Sequence, residues 1–239
     1  MRTLLIATAL LITTNAHALQ PGDISFTAFN ADAEYFAFTA WEDIEANTTL
    51  NFTDKTWNNT TQSFTGSEGW LSWHSSSLIK AGEIIVIHNN SRQSSHGKLN
   101  AFSGSFGLGA TSESLYIFTG SLNAPASILA ALSTEGTNSF IGLPANTSLI
   151  QLPNSTDYAD YTGPRSGISS IEARALLSST THWSSSNTGD GSLLSANTNP
   201  FTLSPVPEPA STLTLLSGLS LLGLLARRRT IDAAGMQGS

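Results

Sequence analysis

Three oxygen-bearing side chains alternate within one short polar stretch, at Asn30, Asp32 and Glu34. Amide and carboxylate oxygens are the ligands that Ca²⁺ prefers, and the ion takes about 6–8 of them at ~2.3–2.6 Å. The EF-hand pattern is incomplete, because the stretch has no Gly at its sixth position and no Glu at its twelfth. These residue types indicate a weak cation site. Asp54 is a further ligand if the fold places it near this stretch. A solvated turn with Asx hydrogen bonds is the alternative interpretation.

Motifs for the common catalytic chemistries are missing from the sequence. It contains no H-E-x-x-H zinc motif, no G-x-S-x-G nucleophile elbow and no cysteine. The histidines have no partner at a metal-ligand spacing: His74, His88, His96 and His182. Acid pairs such as Glu42/Asp43 and Asp157/Asp160 have the chemistry for glycoside hydrolysis, but solvated loop acids give the same pattern. The sequence therefore predicts a non-enzymatic protein without a cofactor, and a secreted hydrolase with an unmarked active site is one alternative.

Charge and aromatic content limit the possible partners. The formal net charge is −7, and the basic residues of the central region are scattered, so the chain has no basic patch for nucleic acid. Exposed indole rings stack on sugar faces. Five tryptophans therefore allow an interaction with extracellular polysaccharide, although we expect most of them in the core: Trp41, Trp57, Trp70, Trp73 and Trp183.

Alternation of apolar and polar residues with period two dominates the first half of the chain. Residues 23–29 place Ile24, Phe26 and Ala28 on one strand face, and residues 35–41 form a second strand. The polar link between them predicts a hairpin. Further strands are predicted at 48–53, 68–74, 83–88, 114–119, 127–132, 139–141 and 200–203. The Ser-, Gly- and Asn-rich stretch 89–109 is typical of a long loop.

One short helix is predicted among these strands. Ser170 is a suitable N-cap, residues 171–177 are good helix formers, and Trp183 follows closely enough to pack the helix against a sheet edge. Many short strands, frequent turn signals and a single helix predict an all-β fold. We expect one β-sandwich ectodomain over residues 19–204.

The N-terminus has the three parts of a secretory signal peptide. Arg2 supplies the positive charge, residues 4–12 form the apolar region, and Ala16-His17-Ala18 is a small-x-small cleavage site. The prediction is a signal peptide over residues 1–18, export through the Sec translocon, and cleavage after Ala18.

The C-terminal region combines a rigid acidic tripeptide, an apolar run and a basic stop. Pro207-Glu208-Pro209 precedes the uncharged stretch 210–226, which Arg227, Arg228 and Arg229 follow. The 17 residues of this stretch span about 26 Å as a helix, close to the ~30 Å of a hydrocarbon core. The pattern predicts one transmembrane helix whose arginines stay on the cytoplasmic side, followed by a short tail at 230–239.

Together these C-terminal residues resemble the PEP-CTERM sorting signal of exported bacterial proteins. The resemblance covers about 24 residues and matches in order and spacing. It implies recognition by an exosortase, which would process the inner-membrane-anchored precursor and deliver the ectodomain to the cell surface or the medium.

The ectodomain carries a looser resemblance. Residues 22–26, 29–32 and 52–54 together with Trp57 resemble the N-terminal pattern of secreted PEP-CTERM and surface proteins that are likened to lamin-tail β-sandwiches. The resemblance implies a fold and no catalytic residues. It favours a surface, biofilm or extracellular-matrix protein with a binding or structural role; the remaining alternative is a calcium-dependent adhesin built on the Asn30–Glu34 stretch.

Overall fold

The computed structural model describes residues 18–135 and 140–204. The predicted signal peptide cleavage site at Ala16 and Ala18 therefore lies almost entirely outside the described residues, and the whole sorting signal lies outside them. Within the described part the chain forms these elements: β1 (Ile24–Asn30), β2 (Tyr35–Ala40), β3 (Thr49–Thr53), β4 (Thr56–Asn58), β5 (Ser63–Thr65), β6 (Trp70–His74), β7 (Ile84–His88), β8 (Gln93–Ser94), β9 (Lys98–Ser103), β10 (Ser114–Ser121), β11 (Ala124–Ser133), β12 (Ser148–Gln151), β13 (Tyr158–Tyr161), β14 (Ser166–Ile168), α1 (Ser170–Leu177), β15 (Trp183–Ser186) and β16 (Thr202–Leu203).

Two six-stranded sheets form the body of the domain. Sheet 1 has the strand order β15-β13-β1-β2-β7-β8, and sheet 2 has the order β12-β11-β10-β3-β6-β9. Within these two sheets neighbouring strands run antiparallel, except for the parallel pair β11 and β12. The strands β4 and β5 form a separate two-stranded ribbon, and β14 and β16 form another. The all-β prediction is confirmed.

A shared aromatic core joins the two sheets. Phe52 on β3 lies between two rings of β2, with centroid distances of 5.0 Å to Phe36 and 5.5 Å to Phe38. Phe38 also meets Trp73 of β6 edge-on at 6.0 Å. All four side chains are fully buried. The sheets therefore pack face to face as a sandwich, because aromatic residues alternate inward along strands of both.

The β1–β2 hairpin is present as predicted, but a β-bulge changes which residues share a face. The pairing shifts between Phe26 and Ala28, so that Phe29 pairs with Phe36 and Ala28 pairs with Ala37. Directly paired residues point to the same side of a sheet. Phe29 therefore joins the inner face, and the prediction that Ala28 shares the face of Phe26 was wrong. An extra residue in one strand reverses the alternation beyond it.

The outer faces of both sheets are also covered. On sheet 2, Trp57 and Phe64 of the β4–β5 ribbon pack over Phe118 of β10. On sheet 1, the segment after β15 lies over the outer face, where the Gly191 carbonyl accepts from Asn30 and the Asn197 N–H contacts Asp160. Both faces of the central strands are thus buried, which explains their apolar runs.

The helix α1 is present, with its N-cap one residue earlier than predicted. Ser169 caps it, and Glu172 completes a capping box in which each side chain accepts from the other residue's backbone N–H. Trp183 donates its indole N–H to the carbonyl of Leu177 at 2.8 Å. Since Trp183 lies on β15, at the edge of sheet 1, the predicted packing of the helix against a sheet edge is confirmed.

Two further predictions were wrong. The stretch 89–109 is not a plain loop, because it contains β8 and β9, and β9 pairs with β6 at the edge of sheet 2. β9 has two large apolar residues, Leu99 and Phe102, so its sequence lacks the dense apolar signal of the central strands. In the predicted strand 139–141, the described residues Phe140 and Ile141 lie in a turn, and Phe140 packs against the cluster under the β4–β5 ribbon.

Candidate functional site

Two of the predicted cation ligands contact the same neighbour: Asn30, the last residue of β1, and Asp32, in the β1–β2 turn. Asn30 accepts a hydrogen bond from the Ala33 N–H at 2.9 Å and donates one to the Gly191 carbonyl at 2.9 Å. Asp32 accepts from the Gly191 N–H at 2.6 Å. These two side chains therefore attach the turn to the segment that follows β15.

Glu34, the third predicted ligand, has different partners. Its Oε2 accepts hydrogen bonds from the Asn89 side chain at 2.9 Å and from the Leu108 N–H at 3.2 Å. The structure thus keeps Asn30 and Asp32 together and places Glu34 in another set of contacts. In the described part of the chain, no three histidine or acidic side chains are arranged to hold a metal ion by themselves.

Glu34 belongs with two other carboxylates, Asp54 and Glu113, and we call these three residues the carboxylate clamp. Together they accept hydrogen bonds from three successive backbone N–H groups in the segment 107–109. The distances are 2.9 Å from residue 107 to Asp54, 3.2 Å from residue 108 to Glu34 and 2.6 Å from residue 109 to Glu113. Glu34 and Asp54 thus bind adjacent residues of one segment, whereas Asn30 and Asp32 contact Gly191.

Strand topology explains why residues so far apart in the sequence meet here. Asp54 directly follows β3 and Glu113 directly precedes β10, and these two strands are antiparallel neighbours. The end of one strand therefore lies beside the start of the other. Glu34 reaches the same segment from the β1–β2 turn of sheet 1, so the clamp ties both sheets to residues 107–109.

Burial determines the protonation of the clamp. Desolvation raises the pKa of Glu113 to about 8, and the negative charges of Asp54 and Glu68 add to the rise. Desolvation likewise raises the pKa of Asp54 to about 6. In both cases the backbone N–H donors oppose the shift without cancelling it. At pH 7 the clamp thus combines a protonated Glu113 with an ionised Asp54.

Glycoside hydrolases use a protonated carboxyl group as the general acid and an ionised carboxylate as the base or nucleophile. In this protein, however, both carboxyl groups are bound to the backbone. Asp54 accepts from the N–H groups of Gly69 and Gly107, and Glu113 accepts from those of Gly109 and Ser114. The arrangement suits the positioning of a loop, and its stability depends on pH.

A cavity of about 230 Å³ opens on the outer side of sheet 1. Its lining includes Tyr35, Tyr158, Asp160 and Leu194, with the hydroxyl groups of Thr162 and Ser184. Burial raises the pKa of the Asp160 carboxyl, which accepts long hydrogen bonds of 3.3 and 3.4 Å from the Asn197 N–H. Two aromatic rings, an acid and hydroxyl groups give this outer-face cavity the chemistry to hold a polar ligand with an apolar face.

The tryptophans mostly serve the core, as expected. Trp41, Trp57, Trp73 and Trp183 are buried, whereas Trp70 is half-buried on β6. The histidines lie apart from one another. His74 is 3.4 Å from the Thr49 hydroxyl at the end of β6, His88 packs on Tyr35, and His96 lies 3.7 Å from Glu83.

Comparison with known proteins identifies the C-terminal region. Residues 205–229 match the family model described as the PEP-CTERM protein-sorting motif. The match confirms the resemblance predicted from the sequence and identifies an exported exosortase substrate with a membrane-anchored precursor. No curated protein and no solved structure matches the chain.

The residues of this motif lie outside the described part of the structure. They include Pro207, Glu208 and Pro209, and the basic stop Arg227, Arg228 and Arg229. Among the residues that are described, no helix has the length and hydropathy to cross a bilayer. The transmembrane helix over 210–226 stays a sequence prediction.

Proposed function

We propose that exosortase cleaves the precursor near Pro207-Glu208-Pro209 and that the β-sandwich then acts at the cell surface or in the extracellular matrix, in a non-enzymatic binding or structural role. The observation that carries the proposal is the sorting motif at 205–229. The non-enzymatic role is supported by the carboxylate clamp, whose acids are bound to backbone N–H groups, and by the separation of the histidines.

Removal of the tripeptide tests the processing step. We expect the wild-type protein, isolated from a host that has an exosortase, to lose the peptide from about residue 210 onward. Replacement of Pro207, Glu208 and Pro209 by alanine should leave the full C-terminus in place, because the enzyme would lose its recognition sequence. Intact-mass and C-terminal peptide mass spectrometry measure the difference.

The matched control for this experiment is Pro200→Ala, which removes a proline outside the motif. It should be processed like the wild type. A wild-type C-terminus that stays intact in the competent host, or a triple variant that is still cut at the same place, would contradict the proposal.

The outer-face cavity is the proposed contact for extracellular polysaccharide. A sugar ring has apolar C–H faces that stack on aromatic rings and hydroxyl groups that bind carboxylates. Tyr35, Tyr158 and Asp160 provide both kinds of group within one cavity. The strongly acidic composition favours a neutral polymer over an acidic one.

Tyr158 is the position at which to test this contact. We expect Tyr158→Ala to weaken binding to the neutral polysaccharide of the producing host about 3–10-fold, since a lost aromatic stack corresponds to about 0.5–1.5 kcal/mol. Tyr158→Phe keeps the ring and should retain most of the affinity. Affinity electrophoresis gives the dissociation constants, and thermal melts show whether both variants fold. Equal binding by wild type and the alanine variant would exclude the cavity as the contact.

A further inference from the structure

An acidic corner lies at the end of sheet 1, where Asp32, Asp157 and Asp190 come together. Asp157 is the central member, because the charges of both other aspartates act on it. Its side chain is only 8% exposed, and its Oδ1 is buried without a hydrogen-bond partner. A buried carboxylate oxygen without a partner costs free energy unless another group compensates its charge.

Backbone contacts hold the corner in place from three separate segments. The carbonyl of Asp157 accepts from the Ala31 N–H at 2.8 Å, and its N–H donates to the Ser186 carbonyl at 2.8 Å. The Gly191 N–H, next to Asp190, donates to Asp32 at 2.6 Å. The aspartates cannot move apart without breaking these bonds, so their proximity is a fixed property of the fold.

Among residues 18–135 and 140–204, no basic side chain forms an ion pair with Asp32, Asp157 or Asp190. Burial and the charges of both neighbours raise the pKa of Asp157. The ion pairs of the described residues lie elsewhere, at Lys80–Asp43 and His96–Glu83. Neighbouring carboxylates that would repel each other when ionised are stabilised either by a shared proton or by a bound cation.

We propose that a divalent cation of the calcium class binds at the acidic corner and bridges Asp32 and Asp157, with Asp190 adding negative potential. Calcium binds to oxygen ligands alone and tolerates irregular geometry, with water filling the remaining positions. The site differs from the one that the sequence predicts, since Asp157 replaces Glu34 as the partner of Asp32. Two bridging carboxylates suit the weak class of extracellular sites, with dissociation constants of about 0.1–1 mM.

Calcium titration of the full-length chain in detergent tests the proposal. At pH 7.5 we expect 5 mM CaCl₂ to raise the melting temperature above that in chelator by about 3–6 °C. Asp157→Asn should abolish this response. In chelator the same variant should melt at or above the wild-type temperature, because it removes the repulsion between Asp32 and Asp157. Isothermal titration calorimetry with CaCl₂ should show binding to the wild type only.

The control variant is Asp43→Asn, which removes a carboxylate that pairs with Lys80 far from the corner. It should keep the full calcium response. A wild type that does not respond to calcium, or an Asp157→Asn variant that responds normally, overturns the proposal. If the melting temperature rises only on acidification and calcium has no effect, the carboxyl groups of the corner share a proton. That result also overturns the proposal. Asp32→Asn gives a second variant with the same expected loss if Asp157→Asn does not fold.

Discussion

Phe52→Ala is expected to lower the free energy of unfolding by about 3–5 kcal/mol, as truncation of a large aromatic core residue does in other proteins. Phe52 is fully buried at the centre of the sandwich and contacts Phe36 and Phe38 of the opposite sheet. Its loss removes apolar burial and also leaves a cavity between two sheets, which the hydrogen-bonded strands around it cannot close. Urea denaturation followed by tryptophan fluorescence measures the change.

Phe102→Ala is the matched control for this prediction. Phe102 on the edge strand β9 is 38% exposed and contacts Arg92 through a cation–π interaction at 3.8 Å. Its removal should cost about 1 kcal/mol or less, since exposed cation–π contacts contribute about 0.5–1 kcal/mol. Equal losses in the two variants would mean that the sheet interface contributes no more than an edge contact, and would contradict the sandwich core described here.

The sequence predicts the central strands because their signal is local. Residues 35–41 and 83–88 carry dense apolar patterns, and the structure places β2 and β7 within those limits. The bulge after Phe26 has no such signal, because the strand has an apolar sequence whether or not it contains an extra residue. β9 was missed because its two large apolar residues, Leu99 and Phe102, stand within a Ser-, Gly- and Asn-rich stretch. Backbone pairing with β6 at the sheet edge defines this strand.

The candidate sites depend on contacts between distant residues, so the sequence reveals less of them. Asp32 was identified from its spacing to Asn30, but Asp157 joins it only because β13 pairs with β1. Glu113 was missed altogether. Its one sequence signal is a lone acid directly before the apolar strand β10, which is also a common pattern for a solvated strand end. Only the pairing of β3 with β10 shows that this acid is buried beside Asp54.

The second large effect concerns the pH dependence of stability. In the native state Glu113 has a pKa of about 8, against 4.5 for an unperturbed glutamate. Between these values the folded chain holds a proton that the unfolded chain has released, so stability falls as pH rises. The contribution of Glu113 is complete below pH ~4.5 and is lost as pH rises through 8. Asp54 acts in the same direction over a lower window, from 3.8 to about 6.

Glu113→Gln should flatten this pH dependence. Between pH 5 and pH 8 we expect the wild type to lose about 3–4 kcal/mol through Glu113, on the basis of ~1.4 kcal/mol for each pH unit in which the proton counts differ. The variant should keep only the smaller fall that belongs to Asp54. Urea denaturation at half-unit pH steps gives both curves, and Glu42→Gln, at an exposed position, is the control that should follow the wild type.

The two curves should also cross, which separates a titration effect from a simple change of packing. At pH 5 the glutamine lacks one of the two oxygen acceptors that serve Gly109 and Ser114, so the variant should be about 1 kcal/mol less stable. At pH 8.5 the wild type carries an ionised Glu113 in a buried site beside Asp54, and the variant should be the more stable protein. Parallel curves for wild type and Glu113→Gln would show that Glu113 is ionised throughout. In that case the N–H donors of the segment 107–109, and not burial, would determine the charge of the clamp.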